Sequence, residues 1–439
     1  MQTATSHMSQ EELYQLSVEV MPGGAGVGAY AMPDDARFII NRGEGSKLLS
    51  TDGKWYIDYV GGAGALIIGH AFPSVVVAAQ ETVAKGLHLY GTLNEPAIEY
   101  AKVLVDAIPC ADQIVYATTG SEATFYAMRI ARAYTGRSKI VKCEGAYHGN
   151  HDYSSFSVSP KTLSEYPVGQ PDTGGIPDGI REQILIAPYN DLDTVARIFK
   201  EHNDEIAALI VEPVQRNIPP QPGYLEGLRE LCTEHGIVMI FDEVVTGFRL
   251  AYGGAQEFFG VTPDLATYGK IVGGGGPGSV VAGRKEIMSQ ADPIIRGQDA
   301  YAYVNGTLHG NPIGCAAGMA TLQELRTPGF YDRLHDRTAT FKSSLQSILD
   351  SHGLEVRAWG TGSLWQTVFM DKVPTRHADM MKADMALTKE LDRQLLLRGI
   401  YVLPGVRRFV SSVHTDDDFA VTYEAFEDAC RTVKSTLSR

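Results

Sequence analysis

Between about residues 86 and 325 the chain alternates short apolar, β-rich runs with helical patterns, and nothing else in the sequence constrains the fold as strongly. The runs lie at 114–117, 139–143, 184–187, 207–211, 236–241 and 280–282. A further apolar run at 265–268 closes on Gly269-Lys270. Helical periodicity fills several of the gaps, as at 121–135 and 223–234. Strands separated by helices are joined by crossovers, so the pattern predicts an α/β fold in which helices cover a mostly parallel sheet.

The flanks read differently. Residues 1–85 carry a helix start at Ser9-Gln10-Glu11-Glu12, a glycine-rich stretch, and a hairpin over 48–58 turning at Asp52-Gly53. After about 326 come helical patterns at 330–352 and 376–398, then short strands and a last helix over 416–437. That helix opens on Asp416-Asp417-Asp418, acidic residues that suit the positive end of a helix dipole. The expected organisation is a large domain at 86–325, a smaller α+β domain at 326–439, and an N-terminal segment, 1–85, joining the smaller domain. There is no internal repeat and no linker rich in Pro, Gly or Ser.

Charge and composition exclude several function classes. The formal net charge of −14 argues against nucleic acid or an anionic membrane as partner, because both demand a basic face. No stretch approaches 18 uninterrupted apolar residues, and the N-terminus lacks both a basic region and an apolar core of a signal peptide. The five cysteines are scattered, odd in number and without metal-ligand spacing. Reduced thiols in the cytoplasm are the expectation.

In an open parallel sheet, ligands bind beyond the carboxyl ends of the strands, and here polar or aromatic groups follow five such ends. The run at 114–117 leads into Thr118-Thr119-Gly120-Ser121-Glu122 and a helix. A tight Gly-Ser turn there offers free N–H groups to a phosphate, although taken alone these residues favour a plain strand-to-helix turn with Ser121 as N-cap. The run at 139–143 leads to Tyr147, and the one at 207–211 to Glu212, Pro213, Val214 and Asn217. The remaining two deliver Asp242 and Lys270. A lysine and an aspartate so placed suit pyridoxal 5'-phosphate: the amine forms a Schiff base with the aldehyde, and the carboxylate keeps a proton on the ring nitrogen.

These segments also match a known family. Thr-Thr-Gly-Ser-Glu-Ala, Gly-Ala-Tyr-His-Gly, Ile-Val-Glu-Pro-Val, Phe-Asp-Glu-Val-Val-Thr-Gly-Phe-Arg, Tyr-Gly-Lys and Asn-Gly-Thr-Leu-His-Gly-Asn-Pro occur in that order. The chain resembles the class III, fold type I aminotransferases that use pyridoxal phosphate. Within them it is similar to the branch of glutamate-1-semialdehyde aminomutase and of the β-phenylalanine and D-phenylglycine aminotransferases. The resemblance implies that Lys270 holds the cofactor and carries protons, and that Asp242 faces the ring nitrogen. It implies that Val244 and Tyr147 flank the ring, that Gly120 and Ser121 hold the phosphate, and that Asn217 lies near the ring hydroxyl. It further implies a homodimer in which Thr307 reaches the phosphate of the neighbouring subunit. The expected activity is ping-pong transfer of an amino group from an amino acid or amine to a keto acid. The alternative is an isomerase, an aminomutase or a racemase, on the same scaffold.

Other signals are weaker. Gly273 to Gly278 formally matches a dinucleotide fingerprint, but it opens no helix after a strand and Pro277 interrupts it. His148, His151 and Asp152 lack further metal ligands nearby in sequence, so no metal is expected. At the substrate end, Tyr30 stands about where the aminomutase branch carries a carboxylate-binding arginine. Arg407 and Arg408 offer a second candidate, close to where β-phenylalanine aminotransferases carry theirs. Arg407 is preferred, against the reading of a plain surface pair, and Glu212 joins Tyr30 as a substrate contact. Arg249 reads as structural.

Overall fold

The computed structural model describes residues 8–24 and 32–437. Tyr30 therefore lies outside the described residues. Among those described, the strands form three sheets. Strands β1 (Ile40–Glu44), β2 (Lys47–Ser50) and β3 (Trp55–Asp58) make an antiparallel meander. The expected turn joins β2 to β3, with Gly53 at φ +88°, where a side chain is strained.

The central sheet contains β4 (Gln113–Ala117), β5 (Lys139–Cys143), β6 (Ile184–Ala187), β7 (Ile206–Val211), β8 (Val238–Asp242), β9 (Leu265–Tyr268) and β10 (Ser279–Gly283). Their order is β4-β10-β9-β8-β7-β5-β6. Only β10 runs against its neighbours, β4 and β9. The reason is the connection: residues 269–278 hold one short 3₁₀ turn, Lys270–Gly273, and no crossover helix that would return the chain in parallel.

Strand β7 shows why the sheet is stable. All six of its residues are buried, as expected of a strand covered on both faces. Ala208 and Ile210 pack with Ala123, Ala127 and Ile130 of the helix Gly120–Thr135, while Leu209 and Val211 face the opposite core with Leu228 and Ile198. Each fully buried branched aliphatic side chain contributes about 1.5–3 kcal/mol. The strand ends are thus fixed by a core on each side.

The C-terminal part holds β11 (Val356–Trp359), β12 (Leu364–Phe369), β13 (Ile400–Tyr401) and β14 (Arg408–Phe409). β11, β12 and β14 form an antiparallel sheet, whereas β13 pairs in parallel with β3 and extends the N-terminal meander. The long helices Phe330–Ser351 and Asp416–Leu437 match their patterns closely. The single helix expected over 376–398 is instead two, His377–Met380 and Met385–Leu397. Asp384 breaks the pattern because its carboxylate accepts from Leu387 N at 2.9 Å and starts a new helix. No helix of the described residues is long and apolar enough to cross a membrane.

Candidate active site

The ends of β4, β5, β7, β8 and β9 open onto one cavity of about 180 Å³. Gly120, Ser121, Tyr147, Glu212, Asp242, Val244, Lys270 and Arg407 all line it. Residues from 120 to 407 converge there because each, apart from Arg407, follows the carboxyl end of a parallel strand.

At the β4 end, the helix Gly120–Thr135 starts directly above the cavity. Thr119, not Ser121, is its N-cap: Thr119 Oγ1 accepts from Glu122 N at 3.2 Å. Ser121 already has helical backbone, and its hydroxyl accepts from Asn150 N at 3.3 Å. The first-turn N–H groups of Gly120 and Ser121 have no partner within the helix and carry the positive end of its dipole. Space is tight. A Cβ on Gly120 would lie 2.8 Å from Val244 Cγ1, and one on Gly149 would lie 2.6 Å from Ser121 Cα.

At the β8 end, Asp242 is buried in a dense network. Its Oδ1 accepts from Val244 N at 3.1 Å and Thr267 Oγ1 at 3.3 Å, and its Oδ2 lies 2.7 Å from His148 Nδ1. His148 is fully buried, and its Nε2 has no partner. The imidazole is therefore spent on the aspartate. Its neighbour His151 is pushed to about 3 by burial and by His148 itself.

The loop after β5 carries Tyr147 and His148 and is curled around a buried lysine. Lys142 Nζ donates to Ala146 O at 3.1 Å, Ser154 O at 2.8 Å and Phe156 O at 2.6 Å. Tyr147 stays 42% exposed at the cavity mouth, with the Arg216 guanidinium 5.6 Å from its ring centre.

Lys270 follows β9 with a left-handed backbone, φ +53°, rare for a residue with a side chain. Burial and the charge of Arg407 lower its amine to about 8, against the pull of Asp242 and Glu212. Arg407 is 13% exposed and sits 3.4 Å from Glu212 Oε2. Glu212 also accepts from Tyr147 N at 2.8 Å and Arg216 N at 2.9 Å. Burial opposes its charge, but Arg407, Arg216, His148 and the Tyr147 N–H hold its carboxyl below the ordinary range. Arg408 points the other way, fully buried against Asp392 and donating to Thr367 Oγ1 at 2.6 Å. The pair is thus no surface pair. Arg249 is buried too, donating to Gly64 O and Ser363 Oγ, which fits a structural residue.

Two expected residues are not among those lining the cavity. Asn217, at φ +122°, exchanges hydrogen bonds with Trp359, and its Oδ1 is buried without a partner. Thr307 is exposed in the loop before the helix Pro312–Leu325. Residues that the sequence pattern did not single out for the site are His148, Lys142 and Thr246. Only His148 carried a signal, as the neighbour of Tyr147 in Gly-Ala-Tyr-His-Gly.

Residues 29–430 match the family model for class-III aminotransferases, so the chain belongs to that family. It is 40% identical over 433 residues to a glutamate-1-semialdehyde 2,1-aminomutase of Desulforudis audaxviator, covering 97% of this chain and 98% of the relative. Among solved structures it superimposes on an omega-transaminase from Sphaerobacter thermophilus with a TM-score of 0.90, at 32% identity and 98% coverage of both chains. A β-phenylalanine aminotransferase from Variovorax paradoxus gives a TM-score of 0.84 at 30% identity, covering 95% of this chain and 93% of that one. The fold is the fold type I α/β fold, and the enzyme depends on pyridoxal 5'-phosphate and acts on small molecules.

The residues present fit that cofactor. The glycines at 120 and 149 leave a cradle that a Cβ would fill, at a helix start suited to a phosphate. Asp242, fixed by Val244 N, Thr267 Oγ1 and His148, can hold a proton on a ring nitrogen, and the Lys270 amine shares its cavity. When bound, the cofactor supplies an electron sink for a carbanion next to the amino group. Beside such a group Lys270 would offer an amine to move a proton, Asp242 an anion to keep the sink cationic, and Arg407 a guanidinium for an anionic partner.

Proposed function

We propose that this enzyme transfers an amino group from an amino acid or amine to a keto acid by a ping-pong mechanism. The observation that carries the proposal is the meeting of the Lys270 amine, the Asp242 carboxylate and the Arg407–Glu212 pair in one cavity. In ping-pong transfer two different partners occupy the same site in turn. An arginine that rests on its own carboxylate suits this, being neutralised when a partner lacks a carboxylate and free to fork onto one that has it. In this reading Lys270 and Asp242 are catalytic, Gly120 and Ser121 hold the phosphate, and Tyr147 and Val244 flank the ring. Asn217 lies near the ring hydroxyl, and Arg407, Glu212 and Tyr30 meet the substrate. The working unit is a cytoplasmic homodimer with Thr307 contributed across the interface. Its large domain is 86–325 and its small domain is 326–439 joined by 1–85.

A second reading is favoured by a specific observation. The relatives at 40% and 39% identity over nearly the whole chain are named as 2,1-aminomutases, and they weigh towards isomerisation more than the transaminase structures, at lower identity, weigh towards transfer. The same lysine serves both reactions, and the carbon that is reprotonated decides the outcome. Loaded enzyme given one amino compound and no keto acid separates them. Stoichiometric conversion of the cofactor to pyridoxamine phosphate, read by absorbance, supports transfer, whereas sustained turnover to an isomer replaces it with the second reading. A panel of α-, β- and D-amino acids with pyruvate or 2-oxoglutarate then names the partners.

A further inference from the structure

Arg407 is the one cavity group described above that no strand end of the central sheet delivers. It belongs to a loop, 404–407, leading into the two-residue strand β14, and such a segment has little core of its own to hold it. One buried side chain from another element grips the segment on both sides of Arg407. Asp392, in the helix Met385–Leu397, is fully buried. Its Oδ2 accepts from Gly405 N at 2.7 Å, two residues before Arg407. Its Oδ1 pairs with the guanidinium of Arg408, the residue just after it. Arg408 is then held by Thr367 Oγ1 and lies 4.9 Å from the Trp365 ring centre. Gln366 Nε2 adds a bond to Gly405 O at 3.3 Å. Gly405 itself has φ +74°, and a Cβ there would lie 2.8 Å from Met385 Cε of the same helix.

The geometry has a direction. With Arg408 turned into the core towards Asp392, the adjacent Arg407 is directed to the opposite side, where it meets Glu212 and the cavity. We infer that Asp392 is a positioning residue for substrate specificity, holding the 404–408 segment so that Arg407 presents its guanidinium beside Lys270. The inference rests on the reading of Arg407 as the carboxylate-binding residue. Asp392 touches neither substrate nor cofactor; it acts through the backbone of Gly405 and the side chain of Arg408.

The test is kinetic and uses the loaded enzyme with its best carboxylate-bearing substrate from the panel above. Asp392→Asn should raise KM for that substrate about tenfold, with kcat at saturation within about threefold of the parent. The dissociation constant of pyridoxal phosphate, read by spectral titration, should stay within about twofold. In an Arg407→Ala background the same substitution should raise KM no further, because the group it positions is gone. Should Asp392→Asn fail to fold, Asp392→Asn with Arg408→Gln removes both buried charges together, and the same KM shift is expected. A fall in kcat and cofactor affinity together, or effects that simply add to those of Arg407→Ala, would reduce Asp392 to a structural residue and overturn the inference. If Arg407→Ala raises KM and Asp392→Asn does not, the inference alone fails. If Arg407→Ala leaves KM unchanged, the reading of Arg407 fails and takes the inference with it.

Discussion

The two ends of this cavity are built in different ways. The end proposed for the cofactor is made of strand termini: Gly120, Tyr147, Asp242 and Lys270 each lie at or just beyond the end of a strand in a sheet with a packed core on both faces. The end proposed for the substrate is made of chain that no central strand supports, with Arg407 on a loop whose Gly405 and Arg408 are held by Asp392. A site made of strand ends is rigid because moving one residue means moving a buried strand. A site made of loops can change its residues and its aim without disturbing the fold, which lets one scaffold serve many substrates. The difference predicts that substitutions at the first end destroy or weaken every reaction, while substitutions at the second change only which partner is accepted.

The largest effect is expected at Lys270. In the proposed reading Lys270→Ala removes both the amine that binds the cofactor and the base that moves the proton, and kcat should fall by roughly 10³-fold or more. Full turnover in that variant would break the assignment. Asp242→Asn keeps the shape but loses the charge proposed to retain the ring proton, and it takes the Asp242 carboxylate away from His148. A fall of about 10²-fold in kcat is expected with all substrates alike, comparable to losing one preorganised electrostatic group elsewhere. A loss confined to one substrate would contradict the comparison.

Much of the first end was legible in the sequence because strand ends are local signals. An apolar run followed by a charged or glycine-rich segment marks its own terminus, and this brought Lys270, Asp242 and Gly120 forward without any knowledge of contacts. The role of His148 was not legible in the same way. It depends on a contact with Asp242, 94 residues away, and from sequence the imidazole reads equally as a loop residue. Lys142 was hidden for a related reason: its three partners are carbonyl groups, which leave no trace in residue identity. Arg407 and Arg408 show the limit at the second end. Adjacent and chemically identical, they differ only in which one meets Asp392, and helix periodicity in 376–398 did not reveal that Asp384 starts the helix carrying it.

Two predictions of intermediate size sharpen the contrast. Arg407→Ala should raise KM for carboxylate-bearing partners between about ten- and a hundredfold, the loss expected of a charge-assisted bidentate contact. Cofactor affinity should change little, and unchanged kinetics with every acceptor would remove Arg407 from the site. Gly120→Ala probes the other end with one methyl group. Its Cβ would lie 2.8 Å from Val244 Cγ1 and 3.0 Å from Cγ2, so Val244 must shift within a packed wall. Spectral titration should show cofactor affinity weakened several-fold, up to about tenfold, with KM for the amino donor nearly constant once the enzyme is saturated with cofactor.

The smallest expected effect couples the two ends through charge. A lysine attacks an aldehyde only as the neutral amine, and burial together with Arg407 lowers the Lys270 amine to about 8. A lowered value means the neutral form predominates above pH 8, rather than above the ordinary lysine value near 10.4. Uptake of pyridoxal phosphate by unloaded protein, followed by stopped-flow absorbance, should therefore accelerate from pH 6, pass its midpoint near pH 8 and level off above it. Arg407→Ala removes one of the charges that disfavours the ammonium form, so its midpoint should move upward and its uptake at pH 7 should slow by a few-fold. A midpoint near 10 in the parent protein would mean that Lys270 does not feel its burial. An unchanged midpoint in the variant would mean that the Arg407 charge does not reach the amine, and that the two ends are electrostatically separate as well as differently built.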